Sequence, residues 1–219
     1  MIITKCKLTL HDHLFYATRE MGRLYETGHY LHNYSLVYAL GLVKAPYFHP
    51  NQMPNYQAHL QPLNRPGIYV TPARPVQYDF VFHIFKRANV GYYSYQPQTT
   101  INMPIYGRAK ELAVGGIFEF YVISHRGLAL PHWIRLGKWM SKAEIEIVWQ
   151  EEAKIKNGSY TANHPLNPLD VPATPLAFDL ISMPPVSLLN NARFIGDYYE
   201  VEDLRLPAHM RYTFPEASQ

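Results

Sequence analysis

The chain has 219 residues, 47% of them apolar and only 17% charged, with 18 Tyr and 18 Pro. That composition allows one mid-sized domain with a real core and excludes wholesale disorder. The formal charge of +3 hides an uneven distribution. Residues 1–64 hold five Lys/Arg and three Asp/Glu (+2), residues 65–142 hold ten and three (+7), and residues 143–219 hold five and eleven (−6).

Strict alternation over residues 2–10 predicts a first strand, with Ile2, Thr4, Cys6, Leu8 and Leu10 on one face. His11-Asp12-His13 ends it. A helix is expected over 18–26 and a better one over 29–40, where Tyr30, Tyr34, Val37 and Tyr38 are helically spaced and Gly41 suits the stop. Residues 46–75 carry seven prolines, so regular helix is not expected there. The reading is a long loop with one short strand at 67–71. Residues 76–86 read as a strand with Val76, Tyr78, Phe80, Phe82 and Ile84 on one face.

A protruding hairpin or loop is expected at about 88–115, carrying Tyr92, Tyr93 and Tyr95. Residues 116–124 form a buried strand and 133–136 a short one ending at Gly137. Residues 143–155 combine a capping-box start with alternating Ile145, Ile147 and Trp149; the β-branched and aromatic content favours strand. A Pro-rich segment at about 163–185 is expected to wrap the surface, followed by one or two strands within 198–213. The sum is α+β, with a sheet partly covered by helices.

No run of apolar residues is long enough for a membrane helix. No signal peptide is evident, and one cysteine, Cys6, forms no intrachain disulfide, so a cytoplasmic location is expected. Cys6 reads as a core residue. No cofactor motif appears: Gly115-Gly116 precedes a strand and is neither a phosphate loop nor a dinucleotide fingerprint. The pair permits close backbone approach, to another strand or to a phosphate. Two histidines at i and i+2, His11 and His13, could point the same way toward a metal; a corner in which Asp12 caps backbone N–H groups is the competing reading. No metal is assigned.

Residues 133–142 are more informative. Arg135, Lys138 and Lys142 are interleaved with Trp133 and Trp139. Guanidinium and ammonium groups hold phosphates, and aromatic faces stack unpaired bases. The competing reading is a turn between strands with solvated cations. Arg108 and Lys110 add a second basic patch.

Several stretches together resemble a known family. CKLTLHDHLFYATREMGRLYETGHYLHNYSLVYALGL, then PARPVQYDFVFHIFKR, GGIFEFYVIS and WIRLGKWMSKAEI, are similar to the small RAMP-superfamily subunit of type I-D CRISPR effector complexes, the Cas-five-like "Csc-one" family. The resemblance implies one RAMP-type domain over 1–219 with an RRM-like (ferredoxin-like) core, long insertions and a thumb-like hairpin. It implies a non-catalytic role in antiviral defence: binding and capping the 5′ handle of the CRISPR RNA. It further implies contacts with the backbone RAMP subunits and the large effector subunit, near where target DNA enters beside the protospacer-adjacent motif, and no membrane partner. The RNA-contacting candidates are then Arg135, Lys138, Lys142, Arg108, Lys110 and Arg19, with Tyr16 and Trp139 as stacking candidates and Gly115 and Gly116 as close-approach positions. The long Gly-rich loop of many RAMP proteins is reduced here to that glycine pair. The alternative is a CRISPR RNA-processing endoribonuclease or metal-dependent phosphodiesterase using His11 or His13.

Overall fold

Alternation in the first strand puts apolar side chains on one face, and that strand becomes the centre of the main sheet. The computed structural model describes residues 1–43, 54–87 and 105–215. In chain order the first elements are β1 (Ile2–Leu10), β2 (Arg19–Met21), β3 (Leu24–Glu26), α1 (Asn33–Ala39), α2 (Tyr56–Leu60), β4 (Tyr69–Val70) and β5 (Arg74–Gln77). There follow β6 (Phe80–Arg87), β7 (Ile105–Leu112), β8 (Ile117–Ser124), β9 (Trp133–Leu136) and β10 (Ser141–Glu152). The last are β11 (Lys154–Thr161), β12 (Ala177–Ile181), β13 (Leu188–Val201) and β14 (Leu204–Pro207).

Three sheets result. The main sheet runs β4-β8-β1-β10-β9, with β5 also on β8, and every pairing is antiparallel. Cys6, Leu8 and Leu10 of β1 and Phe118, Phe120 and Val122 of β8 are buried. They join α1 residues Tyr34, Leu36 and Val37 in the core. The opposite face of the sheet carries charge pairs: Lys5 and Arg74 both reach Glu119, and Lys7 reaches Glu146 at 2.9 Å. A second sheet pairs β11, β12 and β14 with β13. A small third sheet runs β2-β3-β7-β6, in which β3 and β7 are parallel.

Four expectations change. Residues 18–26 form the hairpin β2–β3, not a helix. Gly22 at φ 61° supplies the first residue of a two-residue turn, and pairing with β7 outweighs local helix propensity. The second expected helix starts later than 29: Leu31 bridges to Ala73, and His32 is the N-cap, its Nδ1 accepting from the Tyr34 N–H at 3.2 Å. The Pro-rich region does hold a short helix, α2, capped by Asn55, because its prolines flank those residues rather than fall within them. The run 76–86 is broken at Tyr78-Asp79. β5 pairs with β8 and β6 with β7, so Phe82 and Ile84 lie on an exposed face.

Other expectations hold. The strand expected over 143–155 is present as β10, though it ends at Glu152, and a second strand, β11, which the sequence did not suggest, follows Ala153. Between β8 and β10 the described residues form β9 and no helix, in keeping with Gly127, Pro131 and Gly137. The Pro-rich segment 163–185 is irregular except for a 3₁₀ turn at Pro168–Asp170 and β12. The outer part of the expected 88–115 projection, with Tyr92, Tyr93 and Tyr95, lies outside the described residues. Its inner part is strand β7, paired with β6 over eight register positions.

Candidate nucleic-acid interface

β9 exposes Trp133 and Arg135 and buries Ile134 and Leu136, as alternation requires. A tight turn then runs through Gly137 (φ 80°) to Met140 (φ 55°) before β10 begins. The turn is fastened to residues 12–15. Lys138 N–H donates to Phe15 O at 2.8 Å, Ser141 Oγ donates to His13 O at 2.6 Å, and Lys142 N–H donates to Asp12 Oδ2 at 2.8 Å. A Cβ on Gly137 would stand 2.5 Å from Leu14 Cδ1 and 2.9 Å from Phe15 O. Only glycine allows this approach.

The turn carries the cations outward. Arg135 donates to Met140 O at 3.0 Å and lies 3.6 Å from Asp12; Lys138 lies 3.7 Å from Glu20. Their side chains are 57% and 56% exposed, so these contacts leave donors open to a ligand. Lys142 Nζ sits 3.8 Å above the Trp133 ring. Trp139 stacks on Phe15 at 4.3 Å and is half exposed. Tyr16 follows Phe15 and lines a cavity beneath the turn.

The other basic candidates occupy a separate surface. Cross-strand register puts Arg19, Glu26 and Lys110 in one row and Leu24 and Arg108 in the next, all on the outer face of the small sheet. There Arg108 lies over Phe82 at 5.4 Å and Lys110 over Phe80 at 4.0 Å. The inner face, with Tyr25, Phe85 and Ala109, packs on Phe15. The structure therefore brings Arg135, Lys138, Lys142, Tyr16 and Trp139 together, and sets Arg19, Arg108 and Lys110 across the small sheet from them.

Gly115 and Gly116 approach a strand. Gly115 N–H donates to Leu10 O at 2.8 Å and Leu10 N–H donates to Gly116 O at 2.9 Å. His11 and His13 diverge. His11 Nε2 meets Glu144 Oε2 at 3.1 Å, whereas His13 Nδ1 accepts from the Val114 N–H at 3.3 Å and its ring faces His83. Among the described residues, no group of three or more His, Cys, Asp or Glu side chains is placed to hold a metal ion. Cys6 is fully buried, and burial pushes its thiol up to about 12, which suits a core residue and not a nucleophile.

The cavity is what the sequence did not reveal. It encloses about 580 Å³. Its lining includes Tyr16, Arg135, Gly137 and Met140, the tyrosines Tyr30, Tyr34, Tyr38 and Tyr56, and Met183 with Pro184 and Pro185. Burial raises the phenol pKa of Tyr16, Tyr30 and Tyr56, and pushes Tyr38 up to about 12. Hydrogen bonds to Ser35 and the Gly137 backbone partly offset the effect at Tyr16. Burial also holds His32 down at about 4, against the opposing bond to Val186 O. These groups are neutral near pH 7. The i, i+4, i+8 spacing of Tyr30, Tyr34 and Tyr38 was visible as a stripe, but Tyr16, Met183 and the proline pair reach the cavity only through the tertiary fold.

The family model for "Type I-D CRISPR-associated protein Cas5/Csc1" matches residues 1–215. No curated protein matches the chain. Among solved structures, the chain is similar to a CRISPR protein from Archaeoglobus fulgidus, at 8% identity, covering 94% of this chain and 98% of that one, with a TM-score of 0.48. It is also similar to a chain of the type III-B Cmr-beta complex bound to cognate target RNA and AMPPnP, at 8% identity, covering 88% of this chain and 86% of that one, with a TM-score of 0.45. Mostly antiparallel sheets with few helices, and a family match that leaves only the last four residues uncovered, lead to one conclusion: the chain belongs to the type I-D CRISPR-associated Cas5/Csc1 family.

Proposed function

We propose that this chain is a non-catalytic RNA-capping subunit of a type I-D CRISPR effector complex, gripping the 5′ handle of the CRISPR RNA. The observation that carries the reading is the end of β9 with the Gly137–Met140 turn after it, which together expose Arg135, Lys138 and Trp139. Such a cationic and aromatic edge suits a single strand with splayed bases. In this reading residues 1–219 form one RAMP-type domain. The strand order β4-β8-β1-β10 supports an RRM-like core in which β9 stands in place of a second crossover helix, and β6–β7 forms the base of a thumb-like hairpin. The acidic C-terminal part, which repels a polyanion, then faces the backbone subunits and the large subunit, near the entry of target DNA.

The double variant Arg135→Ala/Lys138→Ala tests this. Loss of two phosphate contacts is expected to weaken single-stranded RNA binding by about 10-fold or more and to flatten the log–log salt dependence by about 1.4. Unchanged affinity and slope would count against the assignment.

A second reading, endoribonuclease, draws on one observation: His11 and His132 both meet the Glu144 carboxylate, at 3.1 and 3.0 Å, close to these cations. RNA cleavage that persists with chelator and disappears in His11→Ala would favour it. Intact RNA after prolonged incubation favours capping.

A further inference from the structure

We propose that the tyrosine-lined cavity beneath the Gly137 turn takes one unstacked nucleobase of the bound strand, with the adjoining phosphate on Arg135. The inference rests on the RNA reading above and adds to it a site that reads a base rather than the backbone.

Size, lining and charge each support this ligand class. The cavity's 580 Å³ falls within the roughly 300–1,000 Å³ of pockets that bury small organic ligands. Its walls are largely phenol rings, methionine thioethers and proline rings, the surfaces against which a flat heterocycle packs. His32 offers no free ring nitrogen: Nδ1 accepts from the Tyr34 N–H at 3.2 Å and Nε2 lies 3.1 Å from Val186 O. The Tyr38 hydroxyl is taken by His59 at 2.7 Å. The lining is mainly aromatic and apolar, and it includes hydroxyl-bearing Thr18, Ser35 and five tyrosines for directional contacts.

No Asp or Glu is among the described residues that line the cavity, and the one charged lining group is Arg135. Lys138 lies on the same turn. A lining of neutral aromatic rings with an arginine among them complements a neutral ring carrying a monoanionic phosphodiester. An apolar peptide would leave the guanidinium idle, and a lone phosphate would leave the aromatic walls idle.

The test compares three labelled strands of about 12 nucleotides, a length within the site sizes of single-strand binders. They are oligo(rA), oligo(rU) and an abasic ribose-phosphate strand, each titrated against the full chain. At least one base-bearing strand is expected to bind about 10-fold more tightly than the abasic strand, as one stacked base contributes. Ala39→Trp and Met183→Trp fill the cavity from opposite sides and leave Arg135 in place. Either is expected to reduce that ratio by about 3-fold or more, leaving what stacking on exposed Trp139 contributes; should Ala39→Trp fail to fold, Met183→Trp decides. An unchanged ratio in folded variants overturns the cavity, while the RNA reading stands if Arg135→Ala still weakens all three strands. Equal binding of all three strands by the unaltered chain also overturns it. Binding of none removes both readings together.

Discussion

Gly137 sits where fold and candidate site meet. Its φ of 80° and the nearness of Leu14 and Phe15 O leave no room for a side chain. Gly137→Ala is expected to cost about 2 kcal/mol or more, combining the left-handed backbone penalty with displacement of packed neighbours. Because the same turn aims Arg135 and Lys138, RNA affinity should fall with it. A thermal melt and an anisotropy titration on one preparation check both; a variant with wild-type melting would show that the turn has slack. Trp139 allows a cleaner separation. It is half exposed and rests on Phe15, so Trp139→Ala should lower RNA affinity several-fold, as loss of a stacking face does, with a smaller effect on stability.

Individual residues were legible where burial and alternation agree. Cys6 read as core and is fully buried. Arg135 and Lys138 read as candidate phosphate contacts and are exposed, whereas Lys142 is half-buried with its ammonium over the Trp133 ring. The histidine pair was harder: position i and i+2 on one chain says nothing about Glu144 or Val114, which decide where each ring goes.

At the scale of elements, the alternating strands β1, β9 and β10 and the continuously apolar β8 were visible from sequence. The hairpin β2–β3 was not, because its parallel partner β7 lies more than eighty residues away in sequence. Local propensity over such short runs is a weak guide when tertiary pairing supplies the hydrogen bonds. The start of α1 was missed for a related reason. Histidine is not among the usual N-cap residues, yet His32 accepts from the Tyr34 N–H. His32→Ala should therefore destabilise the chain by about 1 kcal/mol through the lost cap. The same change should loosen α1, whose Tyr34 and Tyr38 line the cavity. Hydrogen exchange of the α1 amides checks it; protection equal to wild type would show that the cap contributes nothing.

For the whole molecule, buried titratable groups set the acid response. Burial holds His32 at about 4 and His164 at about 3, both below the usual 6.5. The unfolded chain then binds more protons than the folded one below pH 6.5, so these two histidines lose stability as pH falls through that range. Asp170 runs the other way: burial raises it from 3.8 to about 7, with hydrogen bonds from Asn33, Thr213 and Tyr69 opposing the shift. Its contribution is full below pH 3.8 and is lost as pH rises toward 7. Burial lowers His29 in the same sense and raises Glu111 in the opposite one, so the overall slope is a balance of five groups, of which His164 alone supplies up to ~1.4 kcal/mol per pH unit between about 4 and 6.5. His164→Gln removes that share, so the urea midpoint should rise with pH less steeply than in wild type across that window. A slope equal to wild type would contradict this assignment.

The division of charge is also a property of the whole. The basic middle supplies the turn and Arg108 and Lys110 of the small sheet, while the acidic end supplies most of β10 and all of β11 to β14. The account depends on RNA lying along the first and not the second. Photo-crosslinking of 4-thiouridine-substituted CRISPR RNA in the assembled complex, read by mass spectrometry, tests this directly. The account predicts adducts on the peptide spanning 133–142 and on Tyr16; adducts confined to β11–β14 or to neighbouring subunits, with none on that peptide, would contradict it.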